Sequence, residues 1–250
     1  MKRIAVWTGL ALALGISGGG TAAEQPGGKR RTILVFSKTA GFRHDSIPAA
    51  QDAVRAIAKE RGWGVLITED PAWFTPKRLE SFDTVVFLLT TGDALDDGQQ
   101  QAMEGFIRKG GGYVGVHAAS DTEYEWAWYG RLVGAYFASH PAVQEATINI
   151  EDTKHPSTSF LPNSWKRRDE WYDFKVNPRP NVRVLASLDE STYQNGKMGK
   201  DHPIMWCQEI YGGRSWYTGL GHTVESYSEP MFLRMLGEGI EWASQKSRRK

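Results

Sequence analysis

Of the six histidines in the chain, His117 stands where wound α/β sheets do chemistry. A short apolar run, Tyr113, Val114, Gly115 and Val116, leads straight into it, and Ala118, Ala119 and Ser120 follow. In many α/β enzymes that turn presents a nucleophilic cysteine or serine. An imidazole there can move a proton, bind a divalent metal, or hydrogen-bond within the rim. His222, in "GHTVES", also follows an apolar strand pattern, with Glu225 three residues on. His44, in "GFRHDS", is either a helix-entry residue before an Asp45 or Ser46 cap, or a rim ligand. His140 is kept extended by Pro141 and can turn towards the same rim. His155 and His202, each followed by proline, read as surface turn residues.

Other groups suit hydroxyl-rich ligands. Arg43 can hold a sugar hydroxyl or a carboxylate, or pair with an acid. In "TTGD", Gly92 permits close backbone approach, and Thr91 and Asp93 offer hydrogen bonds. Asp121 is either a hydroxyl acceptor or a helix cap. "DEWYDF" sets Glu170 beside Trp171 and Tyr172, a carbohydrate-like composition that also fits a strand with a charged outer face. No HExxH or paired CxxC spacing declares a metal site. His44, His117, His140 and His222 can still converge from distant loops, and two or three imidazoles with a carboxylate would suit a divalent metal.

The elements needed to position these groups are legible in the apolar pattern. Residues 32–36 form a continuous apolar run, as in a strand buried on both faces. From Pro48 the spacing turns helical, with Ala50, Val54, Ile57 and Ala58 on one face. "VLIT" and residues 85–89 are further strands. Asp96 or Asp97 caps a helix carrying Ala102, Met103, Phe106 and Ile107. The strand ending at His117 follows at once. Strands alternating with helices imply right-handed crossovers on a parallel sheet, whose ligands lie beyond the carboxyl ends of the strands. "AVQEATINI", "VRVLASL", "HPIMWCQEI" and "GRSWYTGL" read as further strands, with a closing helix through Phe232, Met235, Leu236 and Ile240. The expected fold is α/β, doubly wound, with a mainly parallel sheet and added antiparallel strands.

"GFRHDSI", "LLTTGDAL", "GGGYVGVHAASDT", "DEWYDF" and "HPIMWCQEIYGGRSWYTGLGHTVESY", in this order, resemble the ThuA-like trehalose-utilisation family over nearly the whole body. The resemblance implies a flavodoxin-like fold related to class I glutamine amidotransferases. It also implies a role in carbohydrate metabolism, with 3-keto sugars derived from trehalose or related glycosides as substrates. The amidotransferases carry cysteine at the elbow, activated by a later histidine and glutamate. His117 replaces that thiol, which excludes thioester chemistry. Cys207 lies in an apolar strand pattern and reads as a small buried residue.

Composition bounds the rest. The chain has 250 residues and a formal net charge of +1, far from the basic field that nucleic acid or an anionic membrane wants. Residues 1–23 have a basic start, a short apolar run and small residues before Glu24, the layout of a secretory signal peptide. That predicts a periplasmic or secreted protein with no membrane span once the leader is removed. Residues 24–31 read as a flexible lead-in, 32–244 as one α/β domain and 245–250 as a basic tail. A single cysteine leaves no internal disulfide. The many aromatic residues fill a core first and serve sugar stacking second.

A 3-keto sugar has an acidified proton at C2, beside the carbonyl. Its removal needs a positioned base and a group that stabilises the oxyanion, but no thiol. The expected site has His117 and His222 as the proton-transfer or ligand centre. Glu225 or Glu170 orients an imidazole, and Trp171, Tyr172 and the "TTGD" loop hold the sugar. The partner is a small-molecule carbohydrate; the residues do not define the oligomeric state. A non-catalytic sugar-binding module and a metal-dependent hydrolase of another substrate are the two other classes these residues permit.

Overall fold

The computed structural model describes Met1 and residues 30–245. The leader, most of the lead-in and the end of the basic tail lie outside the described residues. The first strand, β1 (Thr32–Phe36), is buried along nearly its whole length, as its unbroken apolar run requires. It leads through a loop to α1 (Ile47–Glu60), whose buried face is Ile47, Ala50, Ala53, Val54, Ile57 and Ala58, with Pro48 in the first turn. Ser46 stands at the cap position, but its side chain makes no capping bond. The strands β2 (Gly64–Thr68), β3 (Thr84–Leu88) and β4 (Gly112–Val116) follow, with α3 (Asp97–Arg108) between the last two, after the single turn α2 (Pro76–Leu79). Asp96 and Gln99 form a reciprocal capping box at the start of α3 (2.9 and 3.0 Å), worth about 1 kcal/mol.

After α4 (Ala127–Val133) come β5 (Phe137–Ser139), β6 (Gln144–Ile150), β7 (Ser164–Asp169), β8 (Asp173–Phe174), β9 (Arg183–Asp189), β10 (His202–Ile210), β11 (Gly213–Thr218) and the closing helix α5 (Pro230–Ala243). Nine strands form one sheet in the order β2-β1-β3-β4-β11-β10-β9-β6-β7. The pairs from β2 to β11 are parallel and those from β11 to β7 antiparallel. This is the flavodoxin-like wound sheet with added antiparallel strands. The change of sense occurs at the β10–β11 hairpin, where Tyr211 and Gly212 both have positive φ (56° and 93°), the backbone that a two-residue turn between twisted strands needs. The remaining strands, β5 and β8, pair with each other as a separate ribbon.

The closing helix packs directly on β11. A Cβ at Gly239 would lie 2.6 Å from the Trp216 ring, so only glycine allows that approach. Trp171, Trp206, Trp216, Tyr113, Tyr129 and Tyr217 are fully buried, so most of the aromatic content is core. Cys207 is buried in β10, and burial pushes its thiol up to about 12. No described helix is long and apolar enough to cross a membrane.

Two histidines correct the sequence reading. His155 and His202 are not surface residues but are 1% and 0% exposed. His155 packs against Trp242 and binds Ser157 through Nδ1 (2.8 Å). His202 lies between the Tyr172 carbonyl and the Glu190 carboxylate (2.8 Å each). Both sit beside prolines that look like turn formers in sequence, but distant segments cover them.

Candidate functional site

In a parallel sheet, the carboxyl ends of the strands all open onto one edge. Here β1, β4 and β11 deliver His44, His117 and His222 to that edge. The antiparallel strands β6 and β7 alternate in direction, so the start of β6 and the end of β7 come to the same side. They bring His140 and Glu170.

His117 begins a 3-10 turn directly after β4, with φ +51°. That left-handed conformation is strained for a residue with a Cβ and recurs at functional turns. The side chain is fully buried. Its Nδ1–H donates to the Gly219 carbonyl at the exit of β11 (2.8 Å), which leaves Nε2 with a free lone pair. That lone pair lies 3.2 Å from His222 Nδ1 and 3.4 Å from Glu170 Oε2. His222 Nδ1 is 3.2 Å from the same Oε2. The His44 ring stands perpendicular to both other imidazoles, with centroids 5.0 and 5.2 Å away. His44 Nδ1 is buried and has no hydrogen-bond partner.

The electrostatics follow from burial and crowding. Burial, then the nearby His117 and His222 rings, push His44 down to about 3, so it is a neutral lone-pair donor at ordinary pH. Burial raises the Glu170 carboxyl, but the close imidazoles of His117 and His222 outweigh that and hold it well below the carboxylate range. Burial lowers His222, but Glu170, Asp169 and Asp45 together raise it above the usual imidazole value.

These four residues present ligand atoms that all lie within 4.8 Å of one another. The three measured separations match the edges of a tetrahedron around a transition ion with bonds of about 2.0–2.1 Å, roughly 3.3–3.4 Å. The Gly219 carbonyl behind His117 is the outer partner that fixes a ligating tautomer. The donor set therefore fits a divalent metal, and His44 also keeps a buried nitrogen with no partner in the chain.

A fourth imidazole borders the cluster. His140 is 43% exposed at its side chain, and its Nδ1 lies 2.9 Å from Glu170 Oε1. It lies 2.9 Å from the Pro141 carbonyl as well. Both neighbours are acceptors, so Nδ1 carries the proton and Nε2 the lone pair.

The other expected site residues separate into three groups. Asp121 stays at the rim; burial raises its carboxyl, and Tyr124 donates to it (2.6 Å). The "TTGD" loop is a brace: Thr91 is fully buried, accepts from Gly41 N (3.2 Å) and donates to the Phe42 carbonyl (2.8 Å). Gly92 has φ +70°, and a Cβ there would come within 2.8 Å of Gly41 N; Asp93 of the same loop is exposed.

Four positions correct the expectation. Trp171 is 0% exposed and donates to the Gln144 carbonyl (3.0 Å), so it offers no face to a sugar. Tyr172 is 2% exposed and packs on His117 (centroids 4.1 Å), a wall for the imidazole rather than a sugar platform. Arg43 is committed to Glu69 by two bonds (2.9 and 2.8 Å). Glu225 is exposed on the 3-10 turn 224–228, and the carboxylate beside His222 is Glu170.

Sequence reasoning missed Asp169. It is fully buried at the end of β7 and accepts from the amides of Gly221 and His222 (2.8 and 3.0 Å). It thereby clamps the exit of β11 to a strand four places away in the sheet, and the antiparallel half must curl over the rim to allow it. The only signal was its place beside Glu170 in "RRDEWYDF".

The family profile described as ThuA, trehalose utilisation, matches residues 32–243. The chain belongs to the ThuA family. That membership associates it with carbohydrate use. Among solved structures, a ThuA-like protein from Bacteroides uniformis is 24% identical and superposes with a TM-score of 0.77, over 90% of this chain and 95% of that one. A ThuA-like protein from Parabacteroides merdae is 21% identical, TM-score 0.73, covering 89% and 93%. A β-galactosidase from Bacillus circulans sp. alkalophilus is 12% identical, TM-score 0.56; the match spans 84% of this chain and 30% of the enzyme. At these identities the likeness is one of fold. No curated protein matches the sequence.

Proposed function

We propose that this ThuA-family protein processes 3-keto sugars or keto-glycosides by moving the proton at C2, next to the carbonyl, with a divalent metal at the imidazole cluster. The observation that carries the reading is the convergence of one ligand atom each from His44, His117, Glu170 and His222 within 4.8 Å of one another, together with a His44 ring whose buried Nδ1 has no partner. His44, His117, His222 and Glu170 would hold the ion. A metal bound there would polarise the ketone oxygen and stabilise the enolate charge.

The chain's own groups do the rest. Gly219 keeps the His117 lone pair aimed inward, and Asp169 fixes the His222 loop. His140, which stands outside those four donors, is the proton carrier. Glu170 Oε1 holds its Nδ1–H, and its Nε2 is the base at the mouth of the site. The C2 proton passes to Nε2. It then returns to C2 on either face, or goes to the departing C1 substituent, giving isomerase or lyase outcomes from one intermediate. The geometry resembles a carboxylate–histidine pair in which the acid orients and the imidazole carries the proton.

The test is C2 hydrogen exchange in 3-keto trehalose and 3-keto glucosides, with metal content measured on the same protein. His140→Ala keeps the metal and loses about 10²- to 10⁴-fold in exchange. Folded, metal-supplied protein that neither exchanges nor cleaves these sugars would defeat the reading. Binding without turnover would then favour a sugar-binding module, and turnover of an ester or phosphate a metal-dependent hydrolase. The leader-like residues 1–23 support export before the substrate is met. Mass spectrometry of the mature protein, with Glu24 at its start, checks that.

A further inference from the structure

Phe42 is the one aromatic residue among the described residues that is largely exposed, at 66%. An isolated exposed apolar side chain is ordinary, but two features set this one apart. Its ring stands perpendicular to the buried His44 ring, with centroids 4.9 Å apart and planes at 88°, so it belongs to the wall of the imidazole cluster. Its backbone is also held firmly. The Thr91 hydroxyl takes the Phe42 carbonyl, Thr91 Oγ1 accepts from Gly41 N, and Gly92 leaves room for that approach. A buried threonine and a left-handed glycine thus fix a phenyl ring that points into solvent.

Polar groups border the same cluster. The Asp121–Tyr124 pair and the half-exposed His140 stand there, and Asp121 is close enough to His117 and His140 for their charges to act on its carboxyl. An exposed aromatic face beside a cluster bordered by hydrogen-bonding groups suits a pyranose ring, whose C–H face is apolar and whose edge carries hydroxyls. The His44 ring separates Phe42 from His117 and His222. A ring reacting at the cluster therefore leaves Phe42 free for a part of the ligand beyond that ring.

We infer that Phe42 is the stacking platform for the second sugar ring of a disaccharide substrate, and so sets a preference for disaccharides over monosaccharides. This rests on the proposed reading that the keto-bearing ring lies at the imidazole cluster.

Calorimetric titration of the metal-supplied full chain with trehalose and with glucose tests it without any turnover. Wild type binds trehalose more tightly than glucose. Phe42→Ala weakens trehalose about three- to tenfold and leaves glucose unchanged, whereas Phe42→Trp keeps the preference. Circular dichroism and metal content of both variants match wild type. Equal weakening for both sugars, unchanged trehalose affinity in Phe42→Ala, or a wild type without preference would overturn the assignment. The chemistry fails separately: a Phe42-dependent preference for trehalose with no C2 exchange in keto sugars defeats the proton-transfer reading and leaves the platform standing.

Discussion

Two clusters of histidine and carboxylate lie near the same edge of the sheet, and they differ in what their lone pairs do. His44, His117, Glu170 and His222 form one; Asp173, Glu190 and His202 form the other. In the second, every member is occupied. His202 binds the Tyr172 carbonyl and Glu190, Asp173 accepts from Lys197 N and Ser139 Oγ, and Glu190 accepts from Met198 N. In the first, a buried imidazole nitrogen has nothing to bind. Residue type and proximity are alike, so neither distinguishes a site from a brace. The unmet acceptor does, because leaving a buried polar atom unpaired costs about 1–3 kcal/mol unless something outside the chain binds it.

The sharpest break between the clusters is metal content. His117→Ala removes one ligand, and protein purified in excess metal should lose its bound ion and at least about a hundredfold of its C2 exchange. Retention of both would make the first cluster a brace too.

Acid is the next probe. His155 is held down to about 4 by burial, against an unfolded value of about 6.5. Below pH 6.5 the unfolded chain takes up a proton that the native one refuses. Stability therefore falls as pH drops towards 4, by roughly 3 kcal/mol from this group. His44, down to about 3 for the same first reason, adds a fall of the same sign in metal-free protein. Thermal melts across pH 7 to 4 should show a shallower decline in His155→Gln. Added metal should flatten the decline further by occupying His44, and a decline indifferent to metal would count against ligation.

His202→Ala gives a smaller and different loss. It strands Glu190 and the Tyr172 carbonyl, for about 1–3 kcal/mol in denaturant melts, with metal stoichiometry unchanged. The smallest effect belongs to Glu225→Gln, which should alter exchange less than about twofold, since the carboxylate is exposed and apart from His222.

The fold was legible because burial leaves a period. The runs 32–36 and 112–116, the capped face of α3 and the apolar stripe of α5 each announce their partner surface. The strand β7 was harder: Lys166, Arg167 and Arg168 hide its alternation, although Arg167 is buried with its guanidinium by Asp169 and Glu229. Of the site, His117 and His222 followed from strand ends alone. Glu225 was chosen by nearness in sequence, whereas Glu170 arrives by nearness in space, from a strand five places from β4 in the sheet. Trp171 misled because composition says nothing of direction, and its indole faces inward. The burial of His155 and His202 depends on contacts from distant residues, which local spacing does not encode.

The rim loops after β1, β3 and β4 are joined by backbone bonds past the last strand residue: Ala40 N to Thr91 O, Gly92 N to Asp121 O, and Glu123 N to Gly92 O. Anyone retooling this protein for a new ligand would have to transplant the three loops as a single cassette. A swap of one alone would unzip its neighbours and carry His44 and Phe42 out of place together.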